Sequence, residues 1–280
     1  MSWFRLDVTS ATVLAAVLMA VAVAVRPFRR RWSAWLGAAA FETALVCGLF
    51  ALWQVANAAT HTHQAGGLSA GRAVWQAERW LHLPDEGLLQ KLILGHPDVV
   101  RVSNYYYATA HLTGMLVFLV WLWLRHRDRY GAWRNVLVLF TGASLLIQIV
   151  PVAPPRLIGG TGLVDTAMVY GQSVYAFVGS NLADQYAAMP SIHVGWALLI
   201  AAACWSCSTS RWRWIGIAHA AATTFVVVAT ANHYWFDAIA AAMLLALAWV
   251  AQRALARGLV GLRRAPAPTT SVPLPATLDA

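Results

Sequence analysis

Seven runs of mostly apolar residues divide this chain, near positions 9–25, 34–56, 105–124, 134–151, 191–207, 213–231 and 235–252. A helix of about 20 such residues crosses the hydrocarbon core of a bilayer, and lipid forces the backbone to satisfy its own hydrogen bonds. The pattern therefore predicts an all-α fold, a polytopic membrane helix bundle of about seven transmembrane helices. Composition leaves little alternative. The chain is 60% hydrophobic and 11% charged, whereas a typical globular protein is roughly 25% charged. So few charges do not coat a soluble surface.

The net charge of +9 rests on arginine, since every basic residue except Lys91 is one. These residues fall in short runs between apolar segments rather than on one soluble face, which argues against a nucleic-acid partner. Arg26, Arg29, Arg30 and Arg31 follow the first run, and mark it as a retained helix rather than a cleaved signal. Arg125, Arg127, Arg129 and Arg134 follow the third, Arg211 and Arg213 the fifth, and Arg253, Arg257, Arg263 and Arg264 the seventh. With seven spans all of these share one side, against Arg5, Arg72, Arg79, Lys91, Arg101 and Arg156 on the other. Positive loops stay in the cytoplasm. The expectation is an N-terminus outside, a C-terminus inside and a multi-pass protein of the cell membrane. Trp32, Trp35, Trp121, Trp123, Trp133, Trp205, Trp212 and Trp214 near the inner ends fit an aromatic belt.

Residues 1–264 read as a single membrane-embedded domain. Segment 58–103 carries an amphipathic pattern and predicts one or two short interfacial helices on the outer face. The outer connection 152–189 is long enough to cover a site. Residues 265–280, rich in Pro and Thr, read as a disordered tail. Three cysteines exclude a disulfide scaffold.

Ionisable residues near membrane depth are costly and hence informative. One constellation stands out: Arg156 in Pro151-Val152-Ala153-Pro154-Pro155-Arg156, then Pro190-Ser191-Ile192-His193, then His233 through Asp237. The topology, deduced without them, brings all three segments to one outer face. His233 and Asp237 are four apart and share a helical face. The carboxylate then fixes one imidazole nitrogen as the protonated one and leaves the other as a nucleophile or base. Pro190 suits the first turn of a helix, whose unpaired N–H groups favour an anion. Ser191 adds a hydroxyl, Arg156 a planar cation matched to phosphate oxygens, and His193 a proton donor to a leaving oxygen. Two histidines with separate tasks and an anion cradle point to phosphoryl transfer through a phosphohistidine.

These residues resemble the type 2 phosphatidic acid phosphatase superfamily of membrane lipid phosphatases. Its Pro-Ser-Gly-His motif looks like Pro190-Ser191-Ile192-His193, and its His-x-x-x-Asp motif like His233 to Asp237. The family's first motif carries a lysine and then Arg-Pro; here Arg156, after Pro154 and Pro155, stands alone. The arginine usual six residues before the last histidine is Val227 here. Headgroup-transferring branches also depart at that arginine. The run from Ala188 to His193, with the Ala-Pro-Pro before Arg156, looks most like the inositol phosphorylceramide synthase branch. The resemblance covers about 100–250, the expected catalytic core. It implies His233 as nucleophile, Asp237 as its orienting partner, His193 as acid, Arg156 and Ser191 as phosphate binders, and no metal or other cofactor. Hydrolysis by water and transfer to an acceptor alcohol both remain open.

Tyr105, Tyr106, His111, Asn232 and Asp165 are further candidates to line the site, although a solvated loop charge is the plainer reading of Asp165. His61 and His63 lack a third metal ligand nearby. Glu42, with no obvious partner, and His219 read as packing or inter-helix hydrogen-bond residues, and Cys204 and Cys207 as packing. Two rivals from other classes are a transporter with a His/Asp proton relay and a haem-binding membrane protein using His111 and His219.

Overall fold

A computed structural model describes residues 7–28, 30–61, 64–171 and 185–264. The expected disordered tail, His63, Arg29 and part of the expected outer connection 152–189 lie outside them. Each of the seven apolar runs is helical. Asp7 caps α1 (Val8–Ala24) by accepting from the Ser10 N–H at 2.7 Å, and α2 spans Arg31–His61. Two shorter helices follow, α3 (Gln64–Trp80) and α4 (Glu86–Leu94).

Pro97 opens α5 (Pro97–Arg125), because a proline at the first turn has no N–H to lose. The helix thus starts eight residues before the apolar run does. His126 alone separates it from α6 (Arg127–Ile147), so Arg127, Arg129 and Arg134 stand on a helix rather than in the expected loop. The first turn of α6 is polar outward and needs no apolar residues to form. A five-residue α7 (Thr166–Tyr170) interrupts the long connection, and α8 (Ile192–Cys207), α9 (Arg213–Ala229) and α10 (Trp235–Arg264) complete the chain.

Four of these helices are long and apolar enough to cross a membrane, in the stretches Arg31–Ala56, Pro97–Arg125, Arg127–Ile147 and Trp235–Gly258; α1, α8 and α9 are shorter apolar helices. The protein is all-helical, and among the described residues the only extended pairing is an isolated bridge between Val152 and Ala187.

The core lies among α5, α6, α8, α9 and α10, where Phe118, Leu122, Phe140, Leu199, Val227 and Val228 are buried together. Apolar residues on the outer faces, such as Val117, Leu124, Met243 and Leu247, are exposed, as lipid contact requires. Close approach sets the spacing of α8 on α6. A Cβ at Gly195 would run into the Phe140 ring, whose Cζ tip comes nearest, so the phenyl abuts the α8 backbone just past His193. Segment 58–103 does more than lie on a surface: α3 packs on the 152–157 connection and on α10. Gly71 makes that possible, since a Cβ there would fall 2.5 Å from the Ala153 carbonyl oxygen.

Candidate active site

Three backbone segments form the site, and hydrogen bonds between them hold it together. Ala188 N–H donates to the Val152 carbonyl (3.2 Å), Arg156 N–H to the Ala231 carbonyl (3.1 Å), and Ser191 N–H to the Asp237 carbonyl (3.2 Å). The turn before His233 presents its carbonyl this way because α9 ends in a Schellman motif. Ala231, at φ +54°, donates to the Val228 carbonyl, and Asn232 donates to that of Val227. Glycine usually takes the left-handed position; alanine there carries strain of roughly 1 kcal/mol.

His233 is buried, with Nδ1 2.9 Å from the Ala188 carbonyl oxygen and 3.1 Å from Asp237 Oδ2. The same carboxylate oxygen accepts from the Tyr234 N–H at 2.9 Å. Two acceptors on one nitrogen place its proton there and turn the Nε2 lone pair outward. That Nε2 is buried and has no hydrogen-bond partner among the described residues.

The ring of His193 lies 5.4 Å from that of His233, centroid to centroid. Tyr107 stacks on His193 at 4.5 Å and His111 packs against it at 4.2 Å. His193 Nδ1 and His111 Nδ1 are likewise buried with no partner among the described residues. Buried polar atoms are nearly always satisfied, so three orphan ring nitrogens in one cluster mark a place built for a polar ligand. Among the described residues no group of three or more His, Cys, Asp or Glu side chains is arranged to hold a metal ion.

Arg156 is 9% exposed. Its Nη1 donates to Asn232 Oδ1 at 2.5 Å and its Nε to Asp165 Oδ2 at 3.1 Å. Asp165 is therefore an ion-pair partner and the cap of α7, accepting from Ala167 and Met168 N–H, rather than a solvated loop charge. Its loop is pinned from two sides. Gln90 on α4 exchanges two bonds with the Val164 backbone, and Asn104 on α5 bonds Thr166 and Gly171.

Pro190 precedes the helix instead of opening it. Ser191 is the N-cap, its Oγ accepting from the Val194 N–H at 3.3 Å, because a serine oxygen replaces a missing helical acceptor better than a proline does. The Ser191 hydroxyl hydrogen is not used in that bond. Tyr105 stands half exposed, away from the histidines, and the Tyr106 hydroxyl bonds His219 Nδ1 (2.8 Å) and Thr223 (2.9 Å). Tyr107, one position on, is the tyrosine of the cluster. Its four-residue offset from His111 puts both on one face of α5, a signal present in the sequence.

A second unforeseen residue is Glu78. Fully buried on α3, it accepts from the Phe236 N–H at 2.7 Å and so braces the first turn of α10, where Asp237 sits. Burial, followed by a hydrogen bond with Glu86, pushes its carboxyl up to about 9. Arg79, from the same helix, pairs with Glu86 at 3.0 Å.

With this geometry in view, comparison with known families is decisive: residues 72–251, well over half of the chain, match the PAP2 superfamily. The chain belongs to the PAP2 superfamily. No curated protein and no solved structure matches. PAP2 membership brings phosphatase or phosphotransferase chemistry, and with the four long apolar helices it makes this a membrane protein. The match begins at α3, so Glu78 and the α4 brace fall within the PAP2 region, whereas α1 and α2 precede it. Position 227, where an arginine is usual, is buried apolar core, with its carbonyl accepting from Asn232 and His233 N–H.

Proposed function

We propose that this PAP2 protein transfers a phosphoryl or phospho-headgroup unit of a lipid phosphate through a phosphohistidine at His233. The observation that carries the reading is the His193–His233 ring pair, with the His233 Nδ1 occupied by Asp237 and Ala188 and its Nε2 buried without a partner. The His233 Nε2 attacks phosphorus as the bond to the leaving oxygen breaks, and His193 gives that oxygen its proton. In the second half His193 takes a proton from water or an acceptor alcohol, whose oxygen displaces the Nε2. Arg156 and the Ser191 hydroxyl bind the phosphoryl oxygens. Asp237 keeps the His233 ring in register, and Asn232 and Asp165 aim the guanidinium. Tyr107 and His111 line the His193 side. No step calls on a metal or other cofactor.

The wider setting is part of the proposal. All seven apolar helices cross the cell membrane, with the N-terminus and the histidines outside and the arginine-rich ends inside, as the distribution of positive charge favours. The run Ala188-Met189-Pro190-Ser191-Ile192-His193 and the absence of a cation at 227 favour the inositol phosphorylceramide synthase-like branch, hence transfer to an alcohol over hydrolysis.

The test is turnover of a panel of lipid phosphates by purified protein, with and without chelator, beside His233→Ala and His193→Ala. Acid-labile, base-stable label trapped on the wild type and lost in His233→Ala is the expected result. Full turnover in both variants removes the mechanism. Product formed with an alcohol and none with water assigns transfer.

A further inference from the structure

At the end of α5 away from the histidines, α1, α2, α5 and α6 surround a cavity of about 890 Å³. Arg26, Arg30, Arg31, Arg127 and Arg134 line it, and Glu42 is the one carboxylate among its described walls. That carboxylate is consumed: it accepts from Arg134 Nη1 at 2.5 Å and from the Tyr130 hydroxyl at 3.0 Å. Arg127 lies over Trp35 and Trp123, 4.9 and 4.2 Å from the ring centroids. Among the described residues no carboxylate stands within ion-pair distance of Arg26, Arg30, Arg31 or Arg127. Like charges gathered round one hollow repel each other, and a bound anion relieves that cost.

A second hollow, of about 260 Å³, shares Ala38, Glu42, Trp123 and Tyr130 with the first and is otherwise almost wholly apolar. It runs along α2 and α5 over Leu119 and Val120, one to two turns, roughly 8 Å, deeper than the end of α5. A cationic chamber opening into an apolar groove has the form of an amphiphile. His111 lies 14 residues before Arg125, the last residue of α5, about 21 Å along the helix axis, so this chamber is separate from the histidine site.

We infer that the chamber binds the phosphate-bearing headgroup of an anionic phospholipid, with an acyl chain in the adjoining groove. Basic pockets between membrane helices take such headgroups. Inorganic phosphate offers the same oxygens to the arginines but nothing to the groove, which is why the lipid is the occupant argued here. The inference does not depend on the proposed chemistry at His233, and its failure leaves that chemistry untouched.

The experiment is native mass spectrometry and thermal unfolding of the full chain in neutral detergent, titrated with phosphatidylglycerol, phosphatidylcholine or inorganic phosphate. A saturable adduct and a raised Tm with phosphatidylglycerol alone are expected. The triple variant Arg30→Gln/Arg31→Gln/Arg127→Gln should raise the half-saturating mole fraction on the order of a hundredfold. Arg253→Gln/Arg257→Gln, at the same end but outside the chamber, should leave it unchanged. Ala39 lines the groove and not the chamber; Ala39→Leu narrows the groove without altering charge, and should weaken the lipid while sparing any response to phosphate. Equal response to the two lipids overturns the inference, as does equal weakening by the control pair. Saturation by inorganic phosphate at strength matching the lipid reassigns the chamber to a free anion and overturns it too.

Discussion

The two ends of the bundle handle charge in opposite ways. At the histidine end Arg156, Asp165, Asp237 and Glu78 are largely or fully buried, and each is tied to a partner on another segment or turn. At the arginine end Arg26, Arg30, Arg31 and Arg127 stand exposed around an open chamber, and among the described residues none of the four has a carboxylate within ion-pair distance; the chamber's one carboxylate, Glu42, is taken by Arg134. Buried charges left without partners cost several kcal/mol, whereas exposed ones are screened within about 10 Å. The first arrangement suits a site where reacting atoms must be held still. The second suits a surface that attracts and releases.

The largest break in this contrast should come from Asp237→Asn. The amide keeps one oxygen for the Tyr234 N–H but loses the negative charge on His233 Nδ1. A fall in kcat of about 10³–10⁴-fold is expected, the scale for neutralising a carboxylate that orients a catalytic histidine, with little change in Tm. A kcat close to wild type would show that Asp237 is only a helix cap. Arg156→Lys comes next. Lysine keeps the charge but does not reach Asn232, Asp165 and a phosphoryl oxygen together, so kcat/KM should drop about 10–100-fold.

Glu78→Gln sharpens the comparison through pH. An ordinary glutamate ionises near 4.5, whereas folding holds the Glu78 carboxyl up to about 9, through burial first and then Glu86. The unfolded chain sheds this proton from about pH 4.5 upward and the folded chain only near 9, so Glu78 erodes stability as pH rises through that window. Glutamine still accepts from Phe236 N–H and has no proton to shed. The Tm advantage of the variant should therefore be absent at pH 4 and grow toward pH 8.5; melting curves that stay parallel would refute it. The smallest effect belongs to Glu42→Gln. Its pair with Arg134 is only partly buried, so about 1 kcal/mol or less of stability should be lost, with turnover unchanged. A large loss of turnover would mean that the two ends are coupled.

The helices were legible because apolar runs of this length have few other structures open to them. The sequence points Arg156, Ser191, His193 and His233 to one end, and the structure brings their backbone segments together; the His233–Asp237 contact follows from a spacing of four. What stayed hidden were pairings across long separations. Glu78 reaches Phe236, 158 positions away, and no local pattern announces a carboxylate that caps a distant helix. No local pattern gives Glu42 its partner either, since Arg134 lies 92 positions away on α6. Asp165 looked solvated because nothing in the sequence reveals that Gln90 and Asn104 pin its loop. The phase of α5 was readable: counting four back from His111 selects Tyr107 over Tyr105 and Tyr106. Ser191, rather than Pro190, was the better guide to where α8 begins.

The phenyl of Phe140 against the bare backbone of Gly195 acts as a shim for the two imidazoles. It sets the standoff of the helix that carries His193, and with it the approach of that ring to His233. Thickening it with a methyl at 195 should be tolerated only alongside a thinner ring-side residue at 140. These two positions are thus expected to vary as a matched pair wherever this geometry is kept.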